Sequence, residues 1–231
     1  MKKEEFVVKL RLNGIEISPK QLQLFDKYYR LLLDYNKRVN LTSIVAEEEV
    51  YGKHFYDSLL VLLDKERLGN TCDVGSGAGF PGLPLLIVAE DMDLSIVEPN
   101  GKKLEFLKLL IKELELDRVK LFRERAEEHV RNYREHYDVV LSRAVAKLNI
   151  LSELCLPLCQ PGGEFIALKG KEGLQELAAA EGALSTLGGE VITVNKHHYD
   201  EQTRFNIRMI KLRKTPDIYP RNYGSIIKRP L

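Results

Sequence analysis

Residues 71–90 read TCDVGSGAGFPGLPLLIVAE, and the fold follows from how this stretch is parsed. A short strand, Thr71 to Val74, runs into Gly75, Gly77, Gly79 and Gly82, and an apolar helix follows. Glycine loses more backbone freedom on folding than any other residue. Such a cluster implies that something must come close to the backbone. In an open parallel sheet a turn of this kind lies beyond the carboxyl end of its strand, where ligands bind.

Working outward, β-rich runs recur at TCDV (71–74), LSIVE (94–98), VKLFR (119–123), YDVVLS (137–142), EFIALK (164–169), EVITVNKH (190–197) and RFNIRMIKLR (204–213). Amphipathic helices fill most gaps, as in GKKLEFLKLLIKELEL (101–116), with Leu104, Leu107, Ile111 and Leu114 on one side. This alternation predicts a parallel sheet covered by helices on both faces. Only YDEQT (199–203) separates the last two strands, too short for a crossover, so they should pair as an antiparallel hairpin. The expected fold is α/β: a Rossmann-like, class I S-adenosylmethionine-dependent methyltransferase fold with seven strands, mostly parallel, the last antiparallel. No residues remain for the separate substrate domain that a dehydrogenase usually carries.

Upstream, ISPKQLQLFDKYYRLLLDYNKRVNL (17–41) starts a helix with Ser18 as N-cap and Pro19 at the first helical position. A second helix should cover EEEVYGKHFYDSLLVLLDKE (47–66). The expected organisation is a helical cap over 1–66, a methyltransferase unit over 67–214 and a basic, proline-broken, irregular tail over 215–231.

The totals limit the function classes. The chain has 231 residues, 44% of them hydrophobic, enough for one substantial core. Its 35 basic and 34 acidic residues leave a net charge of +1, which excludes bulk charge-driven nucleic-acid binding but not a local basic patch. No apolar run suits a membrane span or a signal peptide, so a cytoplasmic protein is expected. Cys72, and Cys155 with Cys159 in one apolar helix, read as buried structural thiols, and no metal site is expected. His197 and His198 sit in a strand, where neighbours face opposite ways, so the pair does not share a metal. Nothing specifies an oligomer, and a monomer is the default.

Two parsings of the glycine stretch compete. Gly77 to Gly82 fits the dinucleotide pattern G-x-G-x-x-G, whereas Asp73 to Gly79 fits D-x-G-x-G-x-G, the S-adenosylmethionine pattern. The second is favoured. Asp73 can accept from a ligand ammonium group, and Pro81 removes an N–H that a phosphate site would want. Gly75, Gly77, Gly79 and Phe80 then form the cofactor loop. Glu98 ends the second strand, where a carboxylate can accept from both ribose hydroxyls. Arg125, Ala126 and Glu127 follow the third strand, where the adenine edge would lie.

The fourth strand ends in Ser142-Arg143-Ala144, with no Asn/Asp-Pro-Pro-aromatic run for an exocyclic amine and no nearby thiol for covalent attack. A ring nitrogen such as guanine N7 carries a free lone pair, so its methylation needs alignment rather than a base. Arg143 can hold O6 or a phosphate while N7 stays free.

YNKRVNLTS, HFYDSL, DVGSGAGFPGLPL, SRAVAKL, LKG and PRNYGSIIKRPL together resemble the bacterial small-subunit ribosomal RNA guanine-N7 methyltransferases, once called glucose-inhibited division protein B. The resemblance spans nearly the whole chain. It implies methyl transfer from S-adenosylmethionine, leaving S-adenosylhomocysteine, to N7 of one guanine in a decoding-region loop of 16S rRNA, with the rRNA or the 30S subunit as partner. It implies roles for Asn40 and His54 at the mouth of the site, and for Arg143 and Arg204 toward the RNA or the cofactor's charged end. Tyr35 and Glu98 stand where many such proteins have Trp and Asp.

From Arg204 onward the basic residues are Arg204, Arg208, Lys211, Arg213, Lys214, Arg221, Lys228 and Arg229, against Asp217 alone. With Tyr219 and Tyr223 interleaved as stacking platforms, the tail reads as the RNA grip. Two other readings stay open: a methyltransferase for another RNA, a small molecule or a protein, and a non-catalytic or NAD-type nucleotide-binding module.

Overall fold

A computed structural model describes residues 1–65 and 67–231. Seven strands form one sheet: β1 (Asn70–Val74), β2 (Asp93–Val97), β3 (Val119–Phe122), β4 (Tyr137–Arg143), β5 (Cys159–Lys169), β6 (Gly189–Tyr199) and β7 (Gln202–Lys211). Their order is β3-β2-β1-β4-β5-β7-β6. The first five are parallel, and β7 runs antiparallel to both β5 and β6. All seven expected strands are present, and so is the terminal hairpin. Its turn is only Asp200-Glu201, both at positive φ (43° and 62°), the twist that a two-residue hairpin requires.

The continuous apolar strands reflect burial on both faces. Val139 and Leu141 of β4 enter one apolar cluster, and Val140 between them enters the other. The first cluster unites the sheet with the N-terminal helices: α1 (Lys3–Leu12), α2 (Pro19–Asn36) and α3, a run of helical segments over 47–64 with π geometry at Tyr51–Tyr56. Ser18 caps α2 with the reciprocal Gln21 bonds of a capping box. Glu66, the expected last residue of both the second helix and the cap, lies outside the described residues. Helix α1 adds a third element to the cap; its Phe6 and Leu10 are buried against the same cluster.

Between the strands lie α4 (Gly82–Val88), α5 (Gly101–Glu113), α6 (Ala126–Tyr133), α7 (Leu148–Cys155), α8 (Gly173–Ala178) and α9 (Glu181–Leu187). Two expectations need correction. Cys155 and Cys159 do not share a helix: Cys155 ends α7, a 3₁₀ turn holds Pro157, and Cys159 opens β5. Proline cannot continue the helical ladder there. All three cysteines are free and buried, and burial pushes each thiol up. The tail is not wholly irregular either. Asn222 accepts from Ser225 N at 2.9 Å and caps α10 (Tyr223–Lys228), whose Ile226 is fully buried in the second cluster.

Candidate active site

The chain order reverses between β1 and β4, so the loops after these strands part and leave a crevice at the carboxyl edge. Two cavities occupy it. One, of about 290 Å³, is lined by Gly75, Glu98, Lys103, Arg125, Ala126, Glu127 and Tyr223, among others. The other, of about 510 Å³, is lined by Lys53, His54, Asp57, Arg143, Lys169 and Arg204, among others. Ala144 and Val145 line both and form their shared wall.

The glycines of the first loop do different work. At Gly77, φ is +62° and an added Cβ would face open space, its nearest neighbour Lys103 Nζ at 3.9 Å. At Gly79 an added Cβ would lie 2.4 Å from Tyr28 Oη, whose hydroxyl donates to Ala78 O at 2.6 Å and ties the cap to the loop. Gly77 therefore keeps a cradle open, while Gly79 admits the cap.

Glu98 is buried. Its Oε2 accepts from Gly77 N and its Oε1 from Asn100 N, both at 2.9 Å. Each oxygen keeps a second lone pair, so a carboxylate fixed by the loop still lines the cavity. Asp73 is fully buried and its Oδ2 accepts from Gly82 N at 2.8 Å. Burial raises its carboxyl to about 6. Among the described residues, Asp73 Oδ1 and Ser76 Oγ have no partner. A glycine cradle beside a tethered carboxylate fits a nucleoside; Asp73 and Ser76 lie buried behind the loop and line neither cavity. Phe80 instead belongs to the wall between loop and cap, stacked on Tyr28 at 5.3 Å and on His54 at 4.4 Å.

In the second cavity, α3 presents Asp57 immediately after its π segment; sequence reasoning missed this residue although it lies within HFYDSL. Asp57 is buried and accepts from Arg143 Nη1 at 2.8 Å, Tyr199 Oη at 2.8 Å and Arg204 Nε at 3.0 Å. It fixes two guanidiniums from strands β4 and β7. Arg143 also donates to Lys53 O at 3.2 Å and lies over the Phe80 ring at 5.1 Å. Its Nη2 is 3.3 Å from His54 Nδ1, and Thr42 Oγ1 is 3.0 Å from His54 Nε2. A guanidinium only donates, so Nδ1 accepts and the ring proton is assigned to Nε2. Burial first, then the Arg143 charge, hold His54 down to about 3. His54 is a neutral bracket for Arg143, not a proton carrier near neutrality.

The wall between the cavities is held from behind. Lys169 Nζ donates to Ala146 O at 2.6 Å and pairs with Glu176 Oε2 at 2.7 Å, and Glu176 accepts from Leu148 N at 2.9 Å. Ala144 keeps φ +57°, a strained value for a residue with a Cβ.

Asn40 does not join the site. It is exposed and lines neither cavity. Asn36 organises its loop, accepting from Leu41 N at 2.7 Å and Thr42 N at 3.1 Å, and so sets the residue that touches His54.

The tail does not present the expected row of cations. Lys211 is fully buried and donates to Leu156 O and Thr215 Oγ1. Arg208 pairs with Glu164, and Arg221 with the fully buried Glu153. Arg213 is exposed, but its Nη2 donates to Ser185 O. Lys214, Lys228 and Arg229 remain exposed. Tyr223 lines the first cavity beneath Arg125 rather than standing free. Buried carboxylates and carbonyls draw these cations inward, because a buried charge must be paired.

His197 Nε2 meets Asp64 Oδ2 at 3.0 Å while His198 is exposed on the opposite face, as the strand period predicts. Among the described residues, no cluster suits a metal and no helix is long and apolar enough to cross a membrane.

Comparisons with known proteins bear on the family and the fold. The profile described as GidB, rRNA small subunit methyltransferase G, matches residues 21–205. The chain is 44% identical to ribosomal RNA small subunit methyltransferase G of Staphylococcus saprophyticus, over 96% of this chain and 95% of that one. It is 42% identical to the Bacillus subtilis protein of the same name, over 99% and 98%. Among solved structures, the YcgJ protein of Bacillus subtilis superposes with a TM-score of 0.55 at 13% identity, covering 69% of this chain and 100% of that one. A 16S rRNA (adenine(1408)-N(1))-methyltransferase from Catenulisporales acidiphilia, solved with SAM, gives 0.54 at 12% identity, covering 65% and 88%. At such identities the structural likeness shows a shared fold.

Proposed function

We propose, from the fact that this chain belongs to the rRNA small subunit methyltransferase G family, that it moves a methyl group from S-adenosylmethionine to N7 of one guanine in the decoding-region loop of 16S rRNA. The observation that supports the choice of atom is that the groups bracketing Arg143 in the larger cavity are already engaged; of the cavity's other carboxylates, Glu176 is held by Lys169 and Leu148 N and Glu172 is exposed to water. His54 is held near 3 with its Nδ1 already accepting, and Asp57 is occupied by two arginines and a tyrosine. An exocyclic amine must shed a proton, which His54 and Asp57 are not free to take, whereas a ring nitrogen with a free lone pair needs no base. N7 attacks with its own lone pair.

In this reading Glu98 receives the ribose, Ala126 and Glu127 flank the adenine, and Asp73 with the Gly75–Gly77 backbone receives the amino-acid end. The bound cofactor supplies an electrophilic methyl on a sulfonium. The chain's own contribution is alignment across the wall of Ala144 and Val145. Arg204 uses only Nε on Asp57, so its remaining donors serve a phosphate or O6. A methylated guanine ring would carry positive charge, and Asp57 would offset the flanking arginines there. The cap over 1–66 and the core over 67–214 divide the labour, the cap supplying His54 and Asp57 and the core the cofactor loop. Its place of action is the cytoplasm, where 30S subunits assemble.

The test uses tritiated donor with 30S subunits whose 16S rRNA lacks the modification, deproteinised rRNA, and bulk protein. Label should enter 16S rRNA, and borohydride–aniline treatment, which cleaves at N7-methylguanine, should cut at one position. Turnover should stay flat with pH above neutrality, since His54 does not titrate there. Label in protein alone rejects the rRNA substrate, and labelled rRNA that resists cleavage rejects N7.

A further inference from the structure

We infer that the C-terminal tail is part of the cofactor site, with Tyr223 as the wall residue that holds the adenine end. This rests on the cofactor reading above and reassigns a segment whose composition suggests an RNA grip.

The tail is anchored too firmly for a free arm. Arg134 donates to the carbonyls of Thr215, Pro216 and Tyr219 at 2.9–3.2 Å. Arg221 Nε and backbone N both reach Glu153 Oε1 at 2.8 Å. Ile226 is fully buried beside α7. These anchors leave α10 little freedom, and its first residue, Tyr223, lines the smaller cavity together with Glu98, Ala126 and Glu127. The Tyr223 ring lies under the Arg125 guanidinium, 4.9 Å from centroid to Cζ. Arg125 itself lines the cavity at the start of α6.

A half-buried aromatic ring, fixed by a cation on one side and facing a cavity with a ribose-type carboxylate, suits a flat purine. Every base offers a π face, and a stack on an aromatic side chain contributes a substantial part of its binding. Glu127, half-buried in the same cavity wall, is held above its usual value, chiefly by burial. Stacking and edge contacts are strongest where water is scarce.

The experiment is calorimetric titration of S-adenosylhomocysteine and of adenosine into the full-length protein and its Tyr223→Ala and Tyr223→Phe variants. Thermal unfolding and 30S binding at saturating cofactor are measured in parallel. Tyr223→Ala should weaken both ligands by about tenfold. Its melting temperature and 30S affinity should stay near wild type. Tyr223→Phe, which keeps the ring, should bind within about twofold of wild type. If Tyr223→Ala binds S-adenosylhomocysteine as wild type does, or loses 30S affinity instead, the inference is overturned while the proposed function stands. If wild type itself ignores S-adenosylhomocysteine, both fall together.

Discussion

Asp57 and Glu153 are both buried carboxylates, and each holds arginine. They do opposite things. Asp57 faces the larger cavity and takes one donor from each of Arg143 and Arg204, so that part of each guanidinium stays available. Glu153 is fully buried and takes Arg221 through Nε, Nη2 and the backbone N–H. The first arrangement presents charge to a cavity. The second consumes charge to fasten the tail. The paired groups, carboxylate and guanidinium, are the same in both places, and what differs is how many donors the buried partner leaves free.

The strongest test of that contrast is Arg221→Ala. It leaves the fully buried Glu153 only the backbone N–H of residue 221 and should cost about 3 kcal/mol of folding stability. Urea denaturation reads the loss, and turnover per folded molecule should hold. If stability holds and turnover drops, Arg221 belongs with the substrate-facing cations. Arg143→Ala comes next: turnover should fall about 100-fold through lost alignment. Affinity for S-adenosylhomocysteine should stay within about threefold of wild type. Parallel loss of affinity and rate would move Arg143 into the cofactor pocket. The smallest effect belongs to Lys214, Lys228 and Arg229, the exposed cations of the tail. Replacing all three by alanine should change stability by less than about 0.5 kcal/mol. Every phosphate deprived of its cation should lower the salt slope of 30S binding by about 1. An unchanged slope in filter binding would remove the tail from the RNA surface altogether.

Much of the smaller cavity is legible in the sequence because its lining is largely local. Strand, glycine turn and helix are contiguous over 71–90, and Glu98 sits at the end of the next strand. Gly77 illustrates this: its open cradle needs only the turn that its own neighbours make. The larger cavity is legible only in fragments. His54 and Arg143 stand in quotable motifs, but Asp57, which organises both arginines, looks like any polar residue on a helix. The resemblance implies a role for Asn40, yet the structure gives the loop to Asn36. Composition misleads about the tail because a count of cations carries no information about their partners. Glu153 lies 68 residues before Arg221, and Arg134 grips carbonyls 81 to 85 residues ahead of it.

The amino-acid order alone determined the α/β architecture, the antiparallel finish and the place of the glycine cradle, since periodicity, turn chemistry and strand-to-helix spacing act between near neighbours. Tertiary structure alone decided which charges face a cavity, which thiols and lysines are sealed away, and that the last helix of the chain borders the smaller cavity beside Glu98. The reason is burial: an ionised group removed from water must find its counterpart wherever the packed chain supplies one, and that distance is not written in any local pattern.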